Sequence, residues 1–203
     1  FDKIFKSNKI LTKKSLWIDY IENISRFYQN KKNLHSTKIQ NKIEKYLKKN
    51  FDQNYLKLSF THGDLAPYNC FKKDNYFYVI DFEKFKERIF LFDHINWLFL
   101  PIISNISHRL ISNNYIFRNI FIINIFLKYL KSFIYFKLNK ILENYKINKN
   151  EFTKYYLFYL YEKLFILLSD LKFISNSKNK IITKKNIIMI KKNIANIIQS
   201  EKY

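Results

Sequence analysis

The concentrated acidic chemistry of this chain lies between Phe60 and Asp93. His62-Gly63-Asp64 is followed, five residues after the Asp, by Asn69, and Ile80-Asp81-Phe82-Glu83 follows a short apolar run. Asp64 leaves the end of a predicted strand, and Asn69 closes a loop just before the next one. The chain then runs out and back as a predicted hairpin over 70–80, which returns Asp81 to the side of that loop. A carboxylate, an amide oxygen and a second carboxylate are thereby expected to converge at one edge of a small sheet. Hard oxygen donors of this kind suit Mg²⁺, which uses one or two carboxylates and completes its shell with water and phosphate oxygens.

The same stretch, FTHGDLAPYNC, holds the chain's one glycine, Gly63, one of its two prolines, Pro67, and its one cysteine, Cys70. A glycine in so glycine-poor a chain implies a position that needs it. It gives the backbone a tight turn, opens positive φ and is expected to leave room for a small acceptor. Pro67 stiffens the loop between Asp64 and Asn69. Cys70, at a strand start, reads as a small buried hydrophobe.

Apolar spacing outlines the elements that must hold this segment. Leu16, Trp17, Tyr20, Ile21, Ile24 and Phe27 predict a helix over 12–29; Ile39, Ile43, Tyr46 and Leu47 predict a second, ending by Asn50. YLKLSFT, 55–61, alternates as a strand. Residues 70–72 and 76–80 read as two short strands around a turn at 73–75. Asp93 opens a helical stretch that Pro101 is expected to end. Beyond it the chain reads as helical throughout. Phe152, Tyr155, Tyr156, Tyr159, Leu160 and Leu164 mark a long amphipathic helix over 151–171, and Ile187, Ile190, Ile194 and Ile197 a weaker one. Residues 175–180, SNSKNK, read as a loop. The fold class is therefore α+β and mostly helical, one domain over 1–203. It divides into a helical lead-in (1–50), a segment carrying the catalytic loop and metal site (51–100) and a helical region (101–203).

The 203 residues suit one domain, and 48% hydrophobic with 19% aromatic content is enough for a core. Lys and Arg number 37 against 16 Asp and Glu, a formal charge of +21. Such a charge points to polyanions. The abundance of Lys, Asn, Ile, Phe and Tyr is also the profile of an AT-rich genome, so a lysine-rich solvated surface accounts for it without a nucleic-acid site. One cysteine excludes an internal disulfide, and His35, His62, His94 and His108 show no metal-ligand spacing. His35 and His108 read as surface residues, His94 as part of a helix's first turn, and Trp17 and Trp97 as packing residues. The apolar run over 114–136 is broken by Arg118, Lys128 and Lys131, and the N-terminus lacks a signal-peptide apolar region. The chain reads as soluble and cytoplasmic.

HGDLAPYN with IDFE matches the kinase catalytic template, without the Arg after His or the DFG of protein kinases. The segment resembles the aminoglycoside phosphotransferase and choline kinase superfamily over about 51–100, and Asp93 in LFDH matches the Asp that opens that family's next helix. The resemblance implies the C-terminal lobe of a protein-kinase-like fold and an ATP- and Mg²⁺-dependent small-molecule kinase. It implies Asp64 as catalytic base, Asn69 and Asp81 as metal ligands, and Asp81 as the link to the ATP phosphates. Glu83 is a weaker direct or outer metal ligand. His62, Gly63 and Asp93 support the loop. The acceptor is a small-molecule or sugar hydroxyl, which the positive charge suggests is anionic.

The family's N-terminal nucleotide lobe, with its phosphate-holding Lys, is not found. The residues before His62 read as helices, and no lysine there sits in a convincing strand. Two accounts stay open: a piece of a longer protein, which the initial Phe favours, or a reduced relative. Two non-catalytic readings stand beside the enzyme. One is a pseudokinase or basic module gripping nucleic acid, against which the aromatics fall on helical stripes rather than on an exposed sheet face. The other is a peripheral membrane protein using a basic aromatic helix over 115–135.

Overall fold

Leu56 and Leu58 alternate with Lys57 along Tyr55–Thr61 (β2), and both leucines are buried. β2 is the centre of a three-stranded antiparallel sheet between Lys13–Leu16 (β1) and Lys86–Ile89 (β5). Lys13 lies opposite Leu58 and Leu16 opposite Tyr55; on the other side Leu58 faces Ile89 and Thr61 faces Lys86. The computed structural model describes residues 13–29, 36–51, 55–74, 76–112, 119–171 and 173–200. His35, Asn75, the His108 side chain and residues 115–118 of the expected basic aromatic helix lie outside the described residues.

β1 corrects the expectation of a purely helical lead-in. The helix expected over 12–29 begins at Trp17 (α1, Trp17–Gln29). KKSL carries no apolar alternation; edge pairing with β2 and a Lys13–Glu87 ion pair of 2.9 Å hold it. Lys13 and Lys14 therefore do sit in a strand before the motif. β5 escaped prediction for a similar reason, because KERI places a buried Arg where alternation calls for an apolar residue.

Ser36–Asn50 forms α2. Cys70–Lys73 (β3) and Tyr76–Val79 (β4) form the expected hairpin, with Cys70 opposite Val79 and Phe71 opposite Tyr78. Cys70 is half-buried rather than enclosed, because the hairpin stands as a two-stranded sheet of its own. Phe92–Ser112 (α3) passes through Pro101 instead of stopping there. Proline removes the donor that Trp97's carbonyl would otherwise meet. Phe99 and Ile103, each 1% exposed on either side, show the packing that carries the helix across the break.

Asn119–Lys137 (α4), Asn139–Asn144 (α5), Lys149–Asp170 (α6) and Ser177–Ser200 (α7) complete the chain. The expected 175–180 loop ends early, because Asn176 Oδ1 accepts the backbone N–H groups of Lys178 and Asn179 and starts α7. Asn148 caps α6 in the same way, accepting the N–H of Glu151 at 2.8 Å.

The core is built around α6, which packs on α7, α1, α4, α3 and β5. Residues 152–166 of α6 are all buried, so this helix is enclosed all round rather than amphipathic. Rings interlock on several sides: Tyr20 with Phe158, Phe92 with Tyr159 and Phe99 with Tyr159, at 5.1–5.7 Å between centroids. Enclosure also buries five polar residues of α6 that the apolar pattern hides, Thr153, Lys154, Glu162, Lys163 and Ser169. Among the described residues no helix is long and apolar enough to cross a membrane.

Candidate active site

The end of β2 feeds the loop that carries His62, Gly63 and Asp64. Asp93, in the first turn of α3, fixes that loop from below. Its Oδ2 accepts the His62 N–H at 2.6 Å and its Oδ1 accepts the Gly63 N–H at 2.8 Å. Burial raises the Asp93 pKa; the two N–H bonds pull it back down, followed by Arg88 and His62. His62 Nδ1 accepts the Asp64 N–H at 3.3 Å, which leaves Nε2 to donate to the carbonyl of Ile80 at 2.8 Å. The imidazole thus ties the loop to the residue before Asp81, and Phe82 packs on its ring at 4.8 Å.

Gly63 has φ of +82°, the region its lack of a Cβ makes accessible. The space beside it is not an acceptor pocket. A Cβ there would lie 2.6 Å from the guanidinium carbon of Arg88. Arg88 is 2% exposed and held on several sides: Nε donates to Glu162 at 2.9 Å, and Nη1 donates to Thr61 Oγ1 at 3.2 Å and to the Lys84 carbonyl at 2.7 Å. Its guanidinium also lies over the Phe92 ring at 4.9 Å. The expectation of free room at position 63 is corrected accordingly: the glycine makes way for a buried arginine.

Pro67–Asn69 form a short 3₁₀ turn that places Asn69 at the mouth of β3. Asn69 is 6% exposed, and its Nδ2 donates to the Asp64 carbonyl at 3.0 Å. Its backbone carbonyl accepts the Ile80 N–H at 3.0 Å, which stitches the loop to the return strand. Asn96 on α3 holds the Leu65 carbonyl at 3.1 Å and is itself held by Tyr159 at 3.0 Å.

Asp81 leaves β4 in the left-handed region, φ 65° and ψ 63°, and starts the 3₁₀ turn Phe82–Lys84. A non-glycine residue in this region carries strain that surrounding structure must hold. Asp64 and Asp81 share one neighbour, Tyr68. Tyr68 is 65% exposed, and partial removal of its phenol from water, the charge and hydrogen bond of Asp64, and then the charge of Asp81 push that phenol up to about 12. Glu83 is exposed in the turn. Among the described residues, no three His, Cys, Asp or Glu side chains gather as a metal-ligand group.

Two lysines stand at Asp64. Lys84 Nζ is 3.7 Å from Oδ2 and Lys163 Nζ is 3.6 Å from Oδ1; Lys84 also reaches Asp170 at 3.5 Å. Lys163 is 3% exposed, and its pKa is lowered by burial, with Asp64 acting in the opposite sense. Lys84, Arg88, Glu162, Lys163 and Tyr68 escaped the sequence reading. The readable signal was Glu162-Lys163, an acid–base pair inside the apolar run from Tyr155 to Leu168.

Exposed aromatic rings also stand on the strands beside the site, on both faces of the β3–β4 hairpin and on β2, which corrects the expectation that they lie on helical stripes alone. Phe60, Phe71, Tyr76, Phe77 and Tyr78 are all exposed, and Phe71 stacks on Tyr78 at 5.2 Å. Comparison with protein-family models, curated proteins and solved structures returns no match.

Proposed function

We propose that the chain is the C-terminal catalytic lobe of a kinase-like phosphotransferase, moving the γ-phosphoryl group of ATP to a hydroxyl of a small molecule or sugar. The observation that carries this reading is the grip of Asp93 on the His62 and Gly63 N–H groups. It fixes the backbone from which Asp64 projects, and phosphoryl transfer depends chiefly on such positioning and on charge. Asp64 would take the acceptor's hydroxyl proton. Lys84 and Lys163 beside it suit an anionic acceptor. His62 and Gly63 hold the loop.

The donor set fits Mg²⁺. Asn69 spends its Nδ2 on the Asp64 carbonyl, which leaves its Oδ1 as a donor, and Asp81 adds a carboxylate. Among the described residues no group of three or more His, Cys, Asp or Glu gathers, so water and phosphate oxygens would supply the rest, the ordinary habit of this ion. Bound there, Mg²⁺ supplies charge neutralisation on the phosphate oxygens. The reading also requires a nucleotide-covering lobe, which the described residues do not contain.

Paramagnetic resonance of Mn²⁺ with ATP tests this reading. One Mn²⁺ site is expected, weakened at least about tenfold by Asp81→Asn and by Asn69→Ala. Mn²⁺ binding indifferent to both substitutions overturns it.

A non-catalytic reading is favoured by one feature, the hairpin's exposed rings beside Lys72 and Lys73. Such surfaces stack single-stranded bases. Oligonucleotide binding that falls steeply with salt, and falls again in Phe71→Ala and Tyr78→Ala, would replace the kinase by a basic binding module.

A further inference from the structure

α2 and α7 enclose a groove of about 490 Å³ that shares no lining residue with the candidate active site. Its apolar lining includes Ile39 from α2 and, one turn apart on α7, Ile194 and Ile198. Lys42, Lys45 and Lys49 from α2 and Lys191 from α7 also line it, and all four are exposed. None of the lining residues is acidic, and among the described residues no carboxylate forms an ion pair with any of the four lysines. An apolar hollow is thus ringed by four lysines that no described carboxylate pairs.

We infer that this groove binds a free anionic amphiphile, an acyl chain ending in a carboxylate, with the chain between the isoleucines and the head group among the lysines. The volume is that of a single small-molecule site. Insertion into a bilayer needs apolar groups that protrude. Here Ile194, which lines the groove, is 3% exposed and does not protrude. A nucleic acid would meet the lysines but leave the isoleucine lining unused. Long lysine stems can lie along an apolar wall and keep their ammonium heads at the mouth, which matches a chain-and-head-group ligand.

Isothermal titration of the intact chain with dodecanoate, below its micelle concentration and at low salt, tests the inference. One saturable site is expected. Decanoate, two methylenes shorter, should bind roughly fifteenfold more weakly, since each buried methylene is worth about fourfold. Dodecyltrimethylammonium should show no saturable binding. The K45E/K49E/K191E variant should lose at least about tenfold for dodecanoate while keeping its affinity for dodecanol, and Ala195→Trp, which fills the groove, should lose both. If a variant fails to fold, the chain-length and head-group series on the unaltered protein decides the matter. Absent dodecanoate binding, equal binding of the cationic amphiphile, or binding seen only with anionic vesicles, an acidic peptide or an oligonucleotide overturns it.

Discussion

The guanidinium of Arg88 occupies the space into which a side chain at Gly63 would grow, and Arg88 is too well held to step aside. Gly63→Ala therefore meets two penalties. Positive φ costs an alanine about 1–2 kcal/mol, and overpacking against the pinned guanidinium adds roughly 1–3 kcal/mol. Urea denaturation should show a loss of about 2–5 kcal/mol. A loss under about 1 kcal/mol would mean that Arg88 moves freely and does not brace the loop.

Glu162 binds two cations, the buried Arg88 and the half-buried Lys86. Its Oε1 accepts from Arg88 at 2.9 Å and from Lys86 at 2.8 Å, and its Oε2 accepts from the Tyr20 hydroxyl. Glu162→Gln keeps the shape but leaves Arg88 buried without its counter-charge, at an expected cost of about 3–5 kcal/mol. Tyr20→Phe removes the hydrogen bond to that charged group and the one its oxygen accepts from the Ile89 N–H at 3.3 Å, and should cost about 1.5–3 kcal/mol. Denaturant melts of the two variants should rank in that order; the reverse order would place the weight on the phenol.

Much of this arrangement could be read from residue order. Alternation in YLKLSFT fixed β2, and the out-and-back length from Cys70 to Ile80 set Asp81 beside the Asp64 loop. Those are local patterns. β1 and β5 were not legible because their pairing to β2 is tertiary, and neither KKSL nor KERI carries the apolar alternation that marks a strand. The reach of α3 past Pro101 was hidden for the same reason, since Phe99 and Ile103 are buried only when the other elements close on them. Asp93 was readable as a loop brace; its partner under the glycine was not. Arg88 is one basic residue among 37, and only the fold distinguishes it.

His94 is 4% exposed in the first turn of α3, and burial pushes its pKa down to about 4, against a smaller upward pull from the Phe90 backbone. The fold therefore prefers the neutral ring. Above pH 6.5 both folded and unfolded chains hold it neutral, and its contribution to stability is complete. As pH falls from 6.5 to about 4, the unfolded chain takes up a proton that the folded chain refuses. Stability should drop through this window by about 3 kcal/mol on account of this one ring. The difference in unfolding free energy between the unaltered chain and His94→Gln, followed from pH 7 to pH 4, should shrink by that amount. A flat difference would show that the ring is reached by water.

Lys163 poses stability against chemistry. It is buried within α6, its pKa is lowered chiefly by loss of water, and its Asp64 partner at 3.6 Å does not reverse that shift. A methionine of similar length would fill the same space without a charge to desolvate. Asp64, 18% exposed, would keep water and Lys84. Lys163→Met should therefore raise the unfolding free energy by on the order of 1 kcal/mol. If Asp64 works as proposed, the same change should slow phosphoryl transfer by about tenfold or more, because the carboxylate loses one of the two cations that aim it. A variant both more stable and slower would mean that the charge is kept for what it does to Asp64. A less stable variant would instead make the ammonium a structural tie between α6 and the loop, and would remove Lys163 from the account of catalysis.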